Sequence, residues 1–258
     1  MERIARALEL AHSQLERRKL PESAVPEPML SARVVRLSPE LRISERLLPA
    51  NAGGVHGAPY KLLRTQVLQR LDAMATNTLA ILSPAAGDGK TLTAINLSIA
   101  IAAELGRTAL LVDFDLRRPS VHRRLGFMPE AGVEDCLQAG RPIQDVLVRL
   151  EGYERLAILP ARASVPQSSE LLSSQRAVQL LTEIRGRYAN RVIIVDLPPV
   201  LQADDALAFS RLVQAGLMVV GDGRTKREDL ARSMQLLTEL PLIGTVLNGS
   251  NEPAQPYY

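Results

Sequence analysis

One stretch constrains the fold of this chain more than any other. It is a short apolar run that breaks into glycine-containing residues before a long helical pattern, LAILSPAAGDGKT over residues 79–91. Glycines let backbone N–H groups approach a phosphate, and the start of the following helix favours an anion. The lysine can reach the β- and γ-phosphates of a nucleotide, and the threonine hydroxyl is a Mg²⁺ ligand. The predicted nucleotide-binding residues are Gly87, Asp88, Gly89, Lys90, Thr91 and Leu92.

Apolar runs and helical patterns alternate along the rest of the chain. Strands are predicted at 78–83, 108–113, 155–159, 191–196, 216–220 and 242–247. Helices are predicted at 59–74, 90–105, 119–125, 132–138, 142–150, 174–187, 203–214 and 225–239. This alternation indicates βαβ units, and the continuous apolar runs are typical of parallel strands that are buried on both faces. We therefore expect an α/β fold of the P-loop NTPase type, a doubly wound, mostly parallel sheet with helices on both faces.

Three regions are predicted along the chain. Residues 1–58 form an amphipathic helix at 2–19 and then an extended arm that contains proline and glycine and has little core of its own. Residues 59–250 form the phosphate-loop domain, and residues 251–258 form a flexible tail. The first helix is either a solvated appendage or a docking helix for another chain.

The composition excludes several classes of function. Aromatic residues make up 3% of the chain and Trp is absent, which argues against nucleic-acid binding by base stacking. Cys136 is the single cysteine, a usage typical of a reducing, cytoplasmic compartment. No window approaches 18 uninterrupted apolar residues, so no membrane span is predicted. His12, His56 and His122 are scattered without metal-ligand spacing and are interpreted as structural or solvated.

Two of the predicted strands end in aspartate, at Asp113 and Asp196. A carboxylate at the carboxyl end of a strand beside a phosphate loop can hold Mg²⁺, directly or through water. Thr91, Asp113 and Asp196 are therefore the predicted metal-binding residues. Asp115 is an additional carboxylate, which either caps a helix or takes the proton of an attacking hydroxyl. Phosphoryl transfer to a weak nucleophile requires the second role, so Lys90, Asp113 and Asp115 are the predicted catalytic residues.

Four arginines form a basic cluster after the first of these aspartates: Arg117, Arg118, Arg123 and Arg124. Such a cluster is either a solvated face or a contact for an acidic segment of a partner. The simpler interpretation is the solvated face.

Three motifs together resemble those of the bacterial tyrosine kinases (BY-kinases), and above all the stand-alone kinases of capsule and exopolysaccharide export systems. The resemblance covers residues 60–248. Residues 83–91 (SPAAGDGKT) resemble the family's Walker A motif, 110–119 (LLVDFDLRRP) its Walker A′ motif and 193–199 (IIVDLPP) its Walker B motif. The segments SELLSS at 169–174 and GTVLN at 244–248 are also similar to family segments.

This resemblance implies ATP and Mg²⁺ as cofactors and autophosphorylation of tyrosines in a C-terminal tail. Here the tail tyrosines are Tyr257 and Tyr258, which one subunit would offer to the next. The resemblance gives the phosphate loop and the three aspartates the roles assigned to them above. It also implies a homo-oligomer and a membrane-embedded activator of the polysaccharide copolymerase type. The kinase would then lie in the cytoplasm and touch the membrane only through that partner.

The sequence departs from the family pattern at two places. Family tails usually carry several tyrosines, whereas residues 251–258 contain two. The family often has a Glu-x-x-Arg-x-x-Arg stretch that serves in subunit contacts. The matching residues are Ala58, Lys61 and Arg64, and a lysine cannot form the planar bidentate pair that an arginine forms.

Two other functions share parts of this pattern. Positioning ATPases of the partition and septum-site kind have the same fold, but they typically carry a lysine where this chain has Ala85. No C-terminal amphipathic membrane helix is predicted either. A non-catalytic ATP-binding adaptor, which would hold an export complex together, is compatible with the short tail.

Overall fold

The computed structural model describes residues 32–54, 56–186 and 191–250, and its centre is one sheet of eight strands. The strands are β1 (Arg33–Val35), β2 (Thr78–Leu82), β3 (Thr108–Asp113), β4 (Val148–Leu150), β5 (Leu156–Leu159), β6 (Arg191–Asp196), β7 (Gly216–Gly221) and β8 (Leu242–Asn248). Their spatial order is β1-β4-β5-β3-β6-β2-β7-β8. Every neighbouring pair is parallel except β4 with β5. The predicted α/β fold with a mostly parallel sheet is confirmed.

Nine α-helices connect the strands in the described part of the chain. They are α1 (Pro39–Ser44), α2 (Gly57–Ala73), α3 (Lys90–Ala102), α4 (Val121–Arg124), α5 (Val133–Ala139), α6 (Ser168–Leu172), α7 (Gln175–Gly186), α8 (Asp205–Ser210) and α9 (Arg227–Leu236). Over these same residues, no helix is both long enough and apolar enough to pass through a bilayer.

The sheet has a hydrophobic core on each face, which explains the continuous apolar runs. In β3, Leu110 and Val112 belong to one core with side chains of α5, α7 and α8. Ala109 and Leu111 point to the opposite core, which contains side chains of α2 and α3. Because successive side chains of a strand alternate between faces, a strand that is covered on both sides must be apolar throughout.

The predicted helix at 142–150 is wrong. The structure has a 3-10 turn at Ile143–Asp145 followed by β4, which pairs antiparallel with β5. Val148 and Leu150 are buried while Arg149 is partly exposed, which is the period-two pattern of a strand. The alternation spans three residues, too few for the sequence to distinguish it from one turn of a helix.

The segment 32–54 contributes more to the fold than the predicted extended arm. It forms β1, which extends the sheet next to β4, and it forms α1. Leu47 and Leu48 are buried in the core that contains α2 and α3. The Leu48 N–H donates to Asn96 Oδ1 at 2.9 Å, and the Tyr153 hydroxyl donates to the Leu48 carbonyl at 3.0 Å. The predicted helix at 2–19 and tail at 251–258 lie outside the described residues, and the division of the chain at residue 58 stays a prediction.

Four central strands position the candidate site. The strands β3, β6, β2 and β7 are neighbours and run parallel, so their carboxyl ends meet at one edge of the sheet. The loops that leave this edge include both the glycine-rich stretch and the two aspartate-containing stretches. Ligands of open α/β sheets bind at this edge.

Candidate active site

The phosphate loop, residues 83–89, connects β2 to α3 as the sequence predicts. All five residues of β2 are buried, and α3 begins at Lys90. Gly87 and Gly89 have φ values of +89° and +98°, which side chains other than glycine rarely adopt. Asp88 folds the turn from within, since its Oδ2 accepts the Ala85 N–H at 2.9 Å. The loop therefore has the tight, glycine-dependent backbone that phosphate binding requires.

The loop is also held from outside by the end of β8 and by the segment after β7. The side-chain amide of Asn248 donates to the Asp88 carbonyl at 2.9 Å. The Thr225 hydroxyl donates to Asp88 Oδ1 at 2.8 Å, and Arg224 donates to the Gly87 carbonyl at 3.3 Å. The sequence analysis did not assign these residues to the site. The available signal was that Asn248 ends a strand at the same sheet edge.

Replacing Gly89 by Ala is expected to lower nucleotide affinity about tenfold or more, because strain and a clash both displace the loop. A Cβ at Gly89 would lie 1.8 Å from Asn248 Nδ2. Gly106→Ala is the matched control, since Gly106 also has positive φ but its Cβ would meet nothing within 4 Å. Both variants should lose about 1–2 kcal/mol of stability in urea unfolding. Isothermal titration with ADP·Mg²⁺ should detect the affinity loss in Gly89→Ala alone, and equal losses would contradict the loop's role.

Lys90 lies at the centre of the carboxylates. Its Nζ is 2.8 Å from Asp196 Oδ1 and 3.4 Å from Asp115 Oδ2, and the residue is 6% exposed. Burial alone lowers the pKa of Lys90, but the charges of Asp196 and Asp115 outweigh it, so the pKa is raised. The ammonium group therefore stays charged and can bind an incoming phosphate.

The predicted metal-binding residues come together. Asp113 and Asp196 end neighbouring strands and are directly paired in the register of β3 with β6. The Thr91 hydroxyl donates to Asp196 Oδ2 at 2.7 Å. Asp113 Oδ2 accepts the N–H groups of Ser120 and Val121, each at 3.1 Å, where α4 begins. These contacts fix both carboxylates beside the first turn of α3.

Burial and mutual repulsion shift the protonation of the aspartates. Burial, followed by the charge of Asp196, raises the pKa of Asp113 to about 8, against the opposing backbone hydrogen bond from Val121. Burial also raises the pKa of Asp115, while the charge of Lys90 opposes that rise. The three carboxylates carry more negative charge than one lysine can offset, which is the environment that a divalent cation stabilises.

The raised pKa of Asp113 predicts a pH-dependent stability. Between the ordinary Asp value near 4 and about 8, the folded chain keeps a proton that the unfolded chain has lost. The free energy of unfolding that this proton contributes is therefore greatest below about pH 4, decreases as the pH rises, and is gone once the pH has risen through about 8. Asp113→Asn removes the titration, so its stability relative to wild type should increase with pH, by at most about 1.4 kcal/mol per unit.

Urea unfolding of both proteins at several pH values from 5 to 8, without nucleotide or Mg²⁺, measures this difference. The control is Asp145→Asn, which removes an exposed carboxylate on the 3-10 turn. Wild type and control should keep a constant difference across the range. Parallel curves for Asp113→Asn and wild type would contradict the raised pKa.

The donor set fits Mg²⁺ with a nucleotide. Thr91 supplies a hydroxyl oxygen, and Asp113 and Asp196 supply carboxylate oxygens, the hard ligands that Mg²⁺ prefers. In the described ranges, no group of three or more His, Cys, Asp or Glu has the geometry of a metal site by itself. Mg²⁺ at this place would also take oxygen ligands from phosphate groups and water, as is usual for nucleotide sites.

Two further contacts at the site were missed by the sequence analysis. The Ser120 hydroxyl donates to Thr91 Oγ1 at 3.3 Å, so Ser120 lies next to a predicted metal ligand. Arg117 Nε donates to Asp205 Oδ1 at 2.6 Å and anchors the loop after β3 to α8. No motif marks Ser120, and the motif at 110–119 contains Arg117 without indicating its partner, because both residues act through contacts between distant segments.

The stretch that replaces the family's subunit-contact motif is partly used within the chain. Arg64 forms an ion pair with Glu104 at 2.9 Å and donates to the Ala100 carbonyl at 3.2 Å, at the end of α3. Lys61 is exposed. Arg64 therefore stabilises the packing of α2 on α3.

A parallel α/β sheet with a phosphate loop and aspartates on two neighbouring strands at one edge defines the protein as a P-loop NTPase. No protein-family model matches the chain. Tyrosine-protein kinase YwqD of Bacillus subtilis is 28% identical over 192 residues, which are 74% of this chain and 79% of YwqD. The kinase domain of Escherichia coli tyrosine kinase ETK superposes with a TM-score of 0.69 at 28% identity, over 77% of each chain. These similarities in sequence and structure support a relation to the bacterial tyrosine kinases.

Two further similarities differ in how much of the other protein they cover. The chimerical protein CapA2B2 superposes with a TM-score of 0.73 at 26% identity, over 85% of this chain and 94% of that one. The succinoglycan biosynthesis transport protein ExoP of Rhizobium meliloti is 31% identical over 186 residues, which are 70% of this chain but 23% of ExoP. The chain therefore spans about a quarter of that larger relative.

Proposed function

We propose that this protein is an ATP-dependent protein-tyrosine kinase that phosphorylates tyrosines of its own kind of chain. The observation that carries the proposal is the position of Asp115. It is a second carboxylate after β3, 3.4 Å from the phosphate-loop lysine and only 6% exposed. Phosphate binding by itself has no need for this group, whereas transfer to a tyrosine hydroxyl needs an acceptor for its proton.

Different residues bind the phosphates, hold the metal and accept the proton during the transfer. The backbone N–H groups of residues 87–92 and the Lys90 ammonium bind the phosphates, and Thr91, Asp113 and Asp196 orient the metal. When bound, ATP·Mg²⁺ supplies the phosphoryl group and the divalent charge. Asp115 accepts the tyrosine proton as the tyrosine oxygen bonds to phosphorus and the bond to the ADP oxygen breaks. Burial raises the pKa of Asp115, which favours that proton uptake.

Neither alternative function has an observation in its favour. Ala85 stands where positioning ATPases carry a second lysine, and its N–H is bonded to Asp88. A non-catalytic adaptor would need only the phosphate loop and the metal ligands. The additional buried Asp115 supports the kinase over both.

The proposal includes a role in polysaccharide export. ExoP is a succinoglycan biosynthesis transport protein, and this chain matches part of it. We propose that the kinase works as a homo-oligomer in the cytoplasm, at the inner face of the membrane. It would bind a membrane-embedded polysaccharide copolymerase there and regulate exopolysaccharide or capsule polymerisation and export.

The proposed acceptors, Tyr257 and Tyr258, are tested by mapping phosphotyrosine. Purified protein incubated with ATP and Mg²⁺, with and without the cytoplasmic segment of its copolymerase, should carry phosphotyrosine in residues 251–258. The variant with both tyrosines changed to Phe should lose at least about 90% of the signal, because an aromatic ring without a hydroxyl cannot accept the phosphoryl group. Tyr153→Phe is the control, since its hydroxyl is bonded to the Leu48 carbonyl within the fold. Full phosphorylation of the double variant would exclude the tail as the acceptor.

A further inference from the structure

A second pocket, of about 410 Å³, lies beside the start of α4 and apart from the phosphate loop. Its lining includes His122 and four arginines, Arg117, Arg118, Arg123 and Arg162. The volume is within the range of small-molecule sites. The concentration of guanidinium groups makes the pocket a candidate site for an anion.

Two of these arginines are already neutralised by carboxylates. Arg117 is 2.6 Å from Asp205 and 2.9 Å from Asp204. Arg162 is 3.2 Å from Asp135 and 3.7 Å from Glu134. These four pairs hold the rim of the pocket together, and because four carboxylates face two arginines, Arg117 and Arg162 contribute no free positive charge to a ligand.

The other two arginines carry charge without a carboxylate. Among the described residues, no Asp or Glu lies within ion-pair distance of Arg118 or Arg123. Arg123 donates to the Pro119 carbonyl at 2.6 Å, which leaves further N–H groups of its guanidinium for a ligand. These two unpaired guanidinium groups suit a phosphate monoester, whose second pKa of about 6 means that its monoanion keeps one P–OH group.

His122 adds an independent sign that the pocket binds a ligand. The side chain is 5% exposed, and its Nδ1 is buried without a hydrogen-bond partner. The ring bonds the backbone of Ala161, while burial and then the charge of Arg123 lower the pKa of His122, so the neutral ring presents Nδ1 as an acceptor. A buried, unsatisfied acceptor is costly, and a P–OH group would satisfy it.

We propose that this pocket binds a phosphate monoester, with Arg118 and Arg123 on its anionic oxygens and His122 as the acceptor of its hydroxyl. Guanidinium groups match phosphate geometry in a planar, bidentate way. The ligand has two possible sources, a phosphotyrosine residue or a free phosphate ester. The backbone N–H of Arg118 donates to Asp115 Oδ1 at 3.1 Å, so the pocket adjoins the carboxylate proposed to accept the tyrosine proton.

The test is calorimetric titration of the whole chain, with the phosphate loop filled by ADP·Mg²⁺. The probes are N-acetyl-phosphotyrosine amide, glycerol phosphate and inorganic phosphate. We expect phosphate-ester binding that ADP·Mg²⁺ does not compete away, and that Arg118→Gln or Arg123→Gln weakens about tenfold. Arg124→Gln is the matched control, because Arg124 is the next residue of α4 but pairs with Glu45 at 2.6 Å outside the pocket. The affinity of Arg124→Gln for the phosphate esters should stay within about twofold of the wild-type value.

Each result decides the proposal. Tighter binding of the phosphotyrosine probe supports a phosphotyrosine ligand, and equal binding of glycerol phosphate supports a free ester in the same pocket. Absence of binding, competition by ADP·Mg²⁺, or an equal loss in Arg124→Gln would overturn the site. The titration involves no turnover, so a chain without kinase activity would still give a clear answer about the pocket.

Discussion

Replacing Lys90 by Met is expected to reduce phosphotyrosine formation by about 100-fold or more. Lys90 is the buried cation of the phosphate loop, and its Nζ lies between Asp115 and Asp196. In the transfer it would neutralise charge on the β- and γ-phosphates. A methionine fills similar volume but leaves that charge without a positive partner. Quantitative mass spectrometry of residues 251–258 after incubation with ATP and Mg²⁺ measures the loss.

The matched control is Lys226→Met, which removes an exposed lysine at the start of α9. It should retain activity within about twofold, because an exposed charge of this kind contributes little. Lys90→Met also removes the partner of buried carboxylates. Thermal unfolding must therefore show that the midpoint of this variant lies above the assay temperature. A folded Lys90→Met protein with the phosphotyrosine yield of wild type would exclude the proposed kinase site.

The site could be predicted because its chemistry is concentrated in local patterns. The phosphate loop is nearly contiguous in sequence, and it follows a fully buried strand. Asp113 and Asp196 each end an apolar run, and parallel pairing of β3 with β6 brings them side by side. A sequence pattern predicts such a site well when every residue stands at the same end of a strand.

The rest depends on contacts between distant segments, which no local pattern reports. Asn248 contacts Asp88, which is 160 residues away in sequence, and Arg117 contacts Asp205, which is 88 residues away. The strand β4 is three residues long, and it is defined by its pairing with β1 and β5. His122 was interpreted as structural or solvated, and only its burial and its unpartnered Nδ1 distinguish it.

Replacing Asp115 by Asn is expected to separate transfer from binding. An amide keeps the shape of the carboxyl group but cannot take the tyrosine proton, so kcat should fall about 10²–10⁴-fold. The predicted metal ligands are Thr91, Asp113 and Asp196, which the change leaves intact. ATP·Mg²⁺ affinity should therefore stay within about threefold, since only a contact of Asp115 with Lys90 is lost.

Two comparisons make this prediction specific to proton transfer. Asp196→Asn removes a predicted metal ligand and should weaken ATP·Mg²⁺ binding as well as kcat, whereas Asp145→Asn should change neither. Burial raises the pKa of Asp115, so the acidic limb of the wild-type pH–rate profile should lie above the ordinary Asp range. That limb should disappear from the residual activity of Asp115→Asn. If Asp115→Asn instead loses nucleotide affinity in parallel with kcat, Asp115 is a metal or phosphate contact and another group must accept the proton.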